Sequence, residues 1–315
     1  MSSISVVMPV YNGEPYLEES VFSVVSCGVS EIIVVDDGST DSSPAILESL
    51  VSRIPILRVI RQPNQGEASA LNRGLHEVTS EFVIFLSADD LLYPEGVRAQ
   101  LEAHNREPSL SATYPDWLKI DGLGNVIRTQ TTREYSQEEL IGNLTCIAGP
   151  GSMIRTSAIR ELDFPRKVNM RFWGDLDQWI RLSFIGPFQR VPKVGAAWRL
   201  HSSNASHDAR GQHLLNDLRA IRASVDQNSE SIDDLVKLKF RAKWHRLVAI
   251  ALVQAKPFSM AIVEAALSIF YTFQIPRSRR GRGWKPSELL GAVFPIVGFY
   301  LANLKNGYRV KARNT

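Results

Sequence analysis

Two acidic pairs close apolar runs early in the chain: Asp36-Asp37 ends EIIVVDDGST, and Asp89-Asp90 ends FVIFLSADD. A single Asp in such a place caps a helix or starts a turn. Two pairs on one edge would repel each other unless a cation or the hydrogen-bond donors of a ligand compensated them, and a divalent metal with a phosphorylated substrate supplies both. Polar residues follow other apolar runs in the same way, at Pro9 to Asn12 and at Asn64 to Glu67.

The elements that must position these groups follow from the spacing. ISVVMPVYNG reads as a buried strand that breaks into a polar loop, and EPYLEESVFSVV continues with helical spacing. The stretch PAILESLVSR carries Ile46, Leu47, Leu50 and Val51 on one helix face, with Asp41 or Ser42 just ahead of it as N-cap. ILRVIRQ is a further strand, EASALNRGLHEV a helix and FVIFLSADD a strand. Strands alternating with helices predict a mostly parallel, doubly wound α/β sheet, whose ligand lies beyond the carboxyl ends of the strands. Past residue 110 the alternation weakens, and Tyr114 to Gly124 suggests a strand pair turning near Asp121-Gly122.

The length of 315 residues and 44% hydrophobic content allow a sizeable core, while a formal charge of +3 gives no reason to expect nucleic acid as a partner. Cys27 and Cys146 form neither a CxxC pair nor a disulfide framework, which suits a reducing cytosol. The first strand starts too close to Met1 for a secretory leader. No GxxxxGK[ST] or strand-following GxGxxG is present, which argues against a P-loop NTPase or a common dinucleotide-binding oxidoreductase. Asp36 to Ser39 matches a haloacid-dehalogenase loop only loosely, since the Asp-x-Asp spacing is missing.

VVMPVYNGEPYLEESVFSV, IIVVDDGSTD, NQGEASALNRGL and FLSADDLLYPE together resemble the family 2 glycosyltransferases of GT-A fold. The likeness continues more thinly through YPDWLKIDG, GPGSMIRTSAI, WGDLDQWIRL and WRLHSSNAS. It implies a Rossmann-like, mostly parallel central sheet with helices on both faces, and an inverting enzyme of bacterial cell-envelope polysaccharide type. The expected organisation is a transferase domain over 1–206, with a donor half at 1–110 and an acceptor half at 111–206, followed by a helical appendage at 207–315.

The resemblance also implies a set of roles. Pro9, Tyr11, Asn12, Asp36, Asp37, Asn64, Ser87 and Asp90 would bind the nucleotide-diphosphate sugar. Asp89 and His201 would hold Mg²⁺ or Mn²⁺, although Ser87 replaces the first carboxylate of the usual Asp-x-Asp. Asp175 would be the catalytic base, in a motif where Gly174 stands in place of the common Glu, and its helix would be anchored by Ile180, Phe184 and Trp173. Tyr114, Asp116 and Asp177 would meet a saccharide or lipid-linked acceptor. The alternatives are a nucleotide-sugar-binding protein of the same fold with impaired chemistry, which the missing carboxylate favours, and a nucleotidylyltransferase, for which PVYNGEPY lacks the Gly-rich basic loop.

Residues 246–275 and 287–304 read as apolar helices around a basic segment bearing Arg277, Arg279, Arg280, Arg282 and Lys285. LLGAVFPIVGFYLANL is too short and too interrupted to span a bilayer. The expectation is therefore a cytoplasmic protein whose region 246–313 makes peripheral contact with the inner face of the membrane.

Overall fold

The computed structural model describes residues 2–201, 211–255 and 258–275. The second apolar run at 287–304 and the basic segment before it lie outside the described residues.

The chain groups into two compact units. The first comprises 1–136, 146–168 and 174–207; the second takes the short segments 137–145 and 169–173 together with 208–315.

In the first unit the strands β1 (Ile4–Val10), β2 (Glu31–Asp36), β3 (Leu57–Arg61) and β4 (Phe82–Phe85) alternate with the helices α1 (Leu17–Ser26), α2 (Ser43–Arg53) and α3 (Glu67–Glu77). They pair in parallel in the order β3-β2-β1-β4. The register sets Val10 beside Asp36 and Asp36 beside Arg61, so these strand ends share one edge. After β5 (Leu91–Leu92) and α4 (Pro94–Arg106), β6 (Ala112–Ile120) and β7 (Val126–Gln130) form a hairpin. Its turn runs through Asp121, whose carboxylate accepts the amides of Leu123 and Asn125. The sheet is completed by β8 (Met153–Arg155), which runs antiparallel between β4 and β6, and by β9 (Phe188–Arg199), which lies parallel to β6 and antiparallel to β5. Two further helices, α5 (Thr156–Arg160) and α6 (Gly174–Leu182), lie between β8 and β9 in sequence.

Alternation along β1 explains the layering. Val6 and Met8 join Leu17, Val21, Leu47 and Leu50 of α1 and α2 in one buried cluster. On the other face, Gly74 of α3 approaches so closely that a Cβ there would collide with Val7 Cγ1 and come within 3.2 Å of Val35 Cγ2. Helices thus cover both sides of the parallel strands, which is why the centres of β1, β2 and β4 are apolar on both faces.

α6 is anchored by Leu176, Trp179, Ile180 and Leu182, all buried. Phe184 and Trp173, the expected anchors beside Ile180, are only half-buried.

The second unit contains α7 (Gly211–Gln227), α8 (Asp234–Ala255) and α9 (Phe258–Gln274). Ser268 Oγ donates to the Ala242 carbonyl, and Trp244 Nε1 to that of Leu218. The Asp217 carboxylate accepts the amides of Arg171, Phe172 and Trp173. No described helix is long and apolar enough to cross a membrane.

Candidate active site

The loop after β1 is shaped by Asn12, whose φ of 54° lies in the left-handed region that Asn tolerates better than most residues. Its Oδ1 accepts the Thr40 amide at 2.8 Å and its own amide donates to Ser39 Oγ at 3.0 Å, lacing this loop to the one after β2. Tyr11, beside it, remains 54% exposed and offers a ring face to a ligand. Pro9 is half-buried and Asn64 exposed.

Asp36 and Asp37 are both buried, and the protein itself uses their oxygens. Asp36 accepts the Ser39 amide at 2.9 Å. Asp37 accepts from Gln62 Nε2 and from the amides of Gln65 and Gly66, at 2.8, 2.9 and 2.8 Å. Gly38, at φ 75°, lets the two loops meet, since a Cβ there would lie 2.8 Å from the Asn64 amide nitrogen. Donors of the protein thus already engage both carboxylates and shape the loops that follow β2 and β3.

The second acidic pair divides its work. Asp89 is half-buried, and its Oδ2 lies 2.8 Å from Nε2 of His201, just past the end of β9. Asp90 is buried and its Oδ1 accepts the Arg199 amide at 3.0 Å, so it ties two strand ends together and is withdrawn from the donor contact expected of it. Burial pushes the Asp90 carboxyl well above the usual carboxylate range, and neighbouring Asp89 adds to the rise. Ser87 is half-buried, and its carbonyl accepts the Asp90 amide.

Arg199 was not among the expected site residues. It is 1% exposed, and its Nε donates to the Asp89 carbonyl at 2.8 Å while Nη2 reaches Glu19 Oε2 at 2.7 Å. Its guanidinium also sits 4.6 Å from the centre of the Tyr16 ring, which is 5.0 Å from the His201 ring. The sequence signal was available: an Arg two residues before His201 on a strand that must be buried needs a carbonyl or carboxylate at its head.

Asp175 opens α6 half-buried. One oxygen accepts the Leu176 amide at 2.7 Å, and the other lies 4.0 Å from Cys146 Sγ. Both cysteines are free thiols.

The three residues expected to meet the acceptor are instead internal. Asp177 is 0% exposed, held by Lys167 Nζ at 3.1 Å and Arg181 Nε at 2.7 Å. Asp116 is buried between Thr132 and the Arg190 guanidinium, whose Nη2 donates to both carboxylate oxygens at 3.0 and 2.8 Å and whose Nε donates to Oδ1 at 3.3 Å. The buried Tyr114 donates its hydroxyl to the Arg133 carbonyl at 2.8 Å, and burial pushes its pKa up. Burial on a strand inside the sheet and on the packed face of a helix leaves these side chains engaged with the protein itself.

The sequence pattern that defines Glycosyl transferase family 2 matches residues 5–163, just over half of the chain and the part that carries Tyr11, Asp37 and Asp89. The chain belongs to this family. It is a glycosyltransferase. An uncharacterized glycosyltransferase of Haemophilus influenzae is 32% identical over 212 residues, covering 62% of this chain and 82% of its relative. Chondroitin synthase of Escherichia coli is 29% identical over 64% of this chain, and hyaluronan synthase of Pasteurella multocida 26% identical over 74%. The chain spans less than a third of the length of these two synthases, 30% and 24% respectively. The GT-A fold is shared with S. aureus TarS solved in complex with UDP-GlcNAc, at a TM-score of 0.66 and 17% identity, covering 88% of this chain and 91% of that one.

Proposed function

We propose that this glycosyltransferase moves a sugar from a nucleotide-diphosphate donor to an acceptor hydroxyl by a single inverting displacement, in the synthesis of a polysaccharide or glycolipid. The observation that carries the reading is the approach of Asp89 to His201: two metal-binding side chain types, 112 residues apart in sequence, meet at 2.8 Å at the edge where a donor would lie.

The donor set fits a hard divalent cation in part. A carboxylate oxygen and an imidazole nitrogen supply two ligands, and no cluster of three or more His, Cys, Asp or Glu able to hold a metal occurs among the described residues. Mg²⁺ or Mn²⁺ commonly completes its shell with phosphate oxygens and water, so two protein ligands suffice in a site that also holds a diphosphate. Such an ion would neutralise charge on the leaving diphosphate.

The remaining roles belong to this chain's own side chains. Tyr11 lies against the nucleoside, and the laced loops at Asn12, Asp37 and Asn64 hold the wall it rests on. Asp175, with one oxygen on its own helix, takes the proton of the attacking hydroxyl at the other. The support for that role is its half-exposed position at the start of α6 and its place in the family motif. Residues 1–206 form the catalytic part on this reading. The names of the chondroitin and hyaluronan synthases and of the UDP-GlcNAc complex support a UDP-sugar donor and a saccharide acceptor.

Release of UDP from a panel of UDP-sugars, measured with and without EDTA, tests the proposal. Donor hydrolysis or transfer that requires added Mn²⁺ or Mg²⁺ is expected, and full activity in excess EDTA overturns the metal assignment. The region 246–313 is the proposed contact with the inner face of the membrane, supported by Met260, Val263 and Phe270 exposed on α9 and by the basic residues that follow it in sequence. Full-length protein that fails to bind anionic vesicles at low salt removes that part.

A further inference from the structure

The segment leading into α6 holds a cation with no partner among the described residues. The backbone of Arg166 is clamped by Asn72 of α3: Nδ2 donates to the Arg166 carbonyl at 2.6 Å, and the Arg166 amide donates to Oδ1 at 3.0 Å. On either side, the Pro165 carbonyl accepts from Arg181 Nη2 at 2.8 Å, and Lys167 pairs with Asp177. These contacts hold residues 165 and 167 against α6, where Asp177 takes up Lys167 and Arg181. The guanidinium of Arg166 makes no hydrogen bond or ion pair with any described residue, and its Nε is buried without an acceptor.

Its surroundings are those of the proposed base. Cys146 is exposed by surface area, yet desolvation pushes its thiol up, the charge of Asp175 adds to the rise, and Arg166 pulls it back down. Arg166 and Asp175 thus act on the same sulfur. Gln178, one turn after Asp175 on the same stripe of α6, also keeps both side-chain amide atoms buried without a partner. This end of the helix carries hydrogen-bonding capacity, including one full positive charge, that nothing in the described protein satisfies.

We infer that Arg166 is a specificity-determining residue that recognises an acid group, carboxylate or phosphate, on one of the two saccharides brought to Asp175. The planar fork of an arginine matches both anions, and a half-buried guanidinium without a counterion gains most from a charged acceptor. A neutral sugar hydroxyl satisfies one N–H and leaves the charge unmatched. The inference rests on the reading of Asp175 as the base, since that is what puts a saccharide within reach of Arg166.

The test uses the full chain and paired probes differing only in the acid group: UDP-glucuronate against UDP-glucose, a glucuronate-ended disaccharide against its glucose-ended counterpart, and glucose 6-phosphate against glucose. Binding is read by calorimetry or saturation-transfer NMR. At least one acidic probe should bind about ten- to a hundredfold more tightly than its neutral partner, the range of a hydrogen bond to a charged group. The donor pair and the two acceptor pairs show which saccharide carries the acid. Arg166→Gln should abolish that ratio, while Arg166→Lys, which keeps the charge, should retain part of it; a melting curve for each variant reports on folding. Equal binding within every pair in the wild type, or an unchanged ratio in Arg166→Gln, makes Arg166 an ordinary solvated arginine and overturns the inference. Asp175→Asn separates the two readings: with turnover unaffected the base assignment fails alone, and with turnover lost but no acid preference in the wild type the Arg166 inference fails alone.

Discussion

At the carboxyl edge of the parallel strands, buried carboxylates accept chiefly from amides: Asp37 from Gln65, Gly66 and the Gln62 side chain, Asp90 from Arg199, and Asp36 from Ser39, with Arg61 Nε a further 3.9 Å contact of Asp36. In the second half of the same unit they are satisfied by cations: Asp177 by Lys167 and Arg181, Asp116 by Arg190. An amide-bound carboxylate fixes the shape of a loop without needing a second charge, and so suits the wall of a pocket that must accept an anionic donor. An ion-paired carboxylate fixes the position of a helix or strand and is costly to disturb. Asp89 and Asp175 fit neither pattern. One faces a histidine, and the other uses one oxygen on the amide next to it. Chemistry is expected at these two residues, and architecture at the rest.

The comparison is sharpest on α6, where Asp175 and Asp177 stand two residues apart. Asp175→Asn preserves shape and removes a base, so turnover should fall by about 10² to 10⁴ while donor affinity stays within a few-fold. Steady-state UDP release together with donor titration checks this, and near-normal turnover would place the base elsewhere. Asp177→Ala should do the reverse. Stranding Lys167 and Arg181 around a vacated, fully buried position should cost about 3–5 kcal/mol in urea denaturation, with turnover per folded molecule little changed. If Asp177→Ala loses turnover with its stability intact, the residue belongs to the chemistry after all.

Next in size is Asp89→Ala. Losing one of two ligands should weaken Mn²⁺ affinity, measured by electron paramagnetic resonance in the presence of UDP, by about 10- to 100-fold, and donor binding should fall with it. An unchanged Mn²⁺ isotherm would separate the Asp89–His201 contact from metal binding.

The β–α alternation was legible because parallel strands covered on both faces are apolar at their centres, as IIVV of β2 and FVIF of β4 are. The approach of Asp89 to His201 was legible only through the motifs that flank them. The burial of Asp177, Asp116 and Tyr114 was not legible for one shared reason: a polar residue on an amphipathic helix or strand suggests solvent, and whether a partner waits inside depends on the fold. Arg181, four residues after Asp177, was a visible partner. Arg190, 74 residues from Asp116, was not. Arg166 could not have been singled out, since what distinguishes it is a missing partner.

The smallest expected effect tests whether β6 takes any part in acceptor binding. Tyr114 sits in the buried run of β6 with its hydroxyl on the Arg133 carbonyl at 2.8 Å. Replacing it with Phe keeps the ring packed and removes one neutral hydrogen bond, which costs about 1 kcal/mol in stability. A residue that met the acceptor would behave differently, because a site built around a hydroxyl loses substrate affinity when that hydroxyl goes. Tyr114→Phe should therefore lower the denaturation midpoint slightly and leave the KM for acceptor within about twofold, the change expected of a residue that never touches substrate. A large rise in acceptor KM with an unchanged denaturation midpoint would mean that β6 opens to substrate during turnover, and would return Tyr114 to the site.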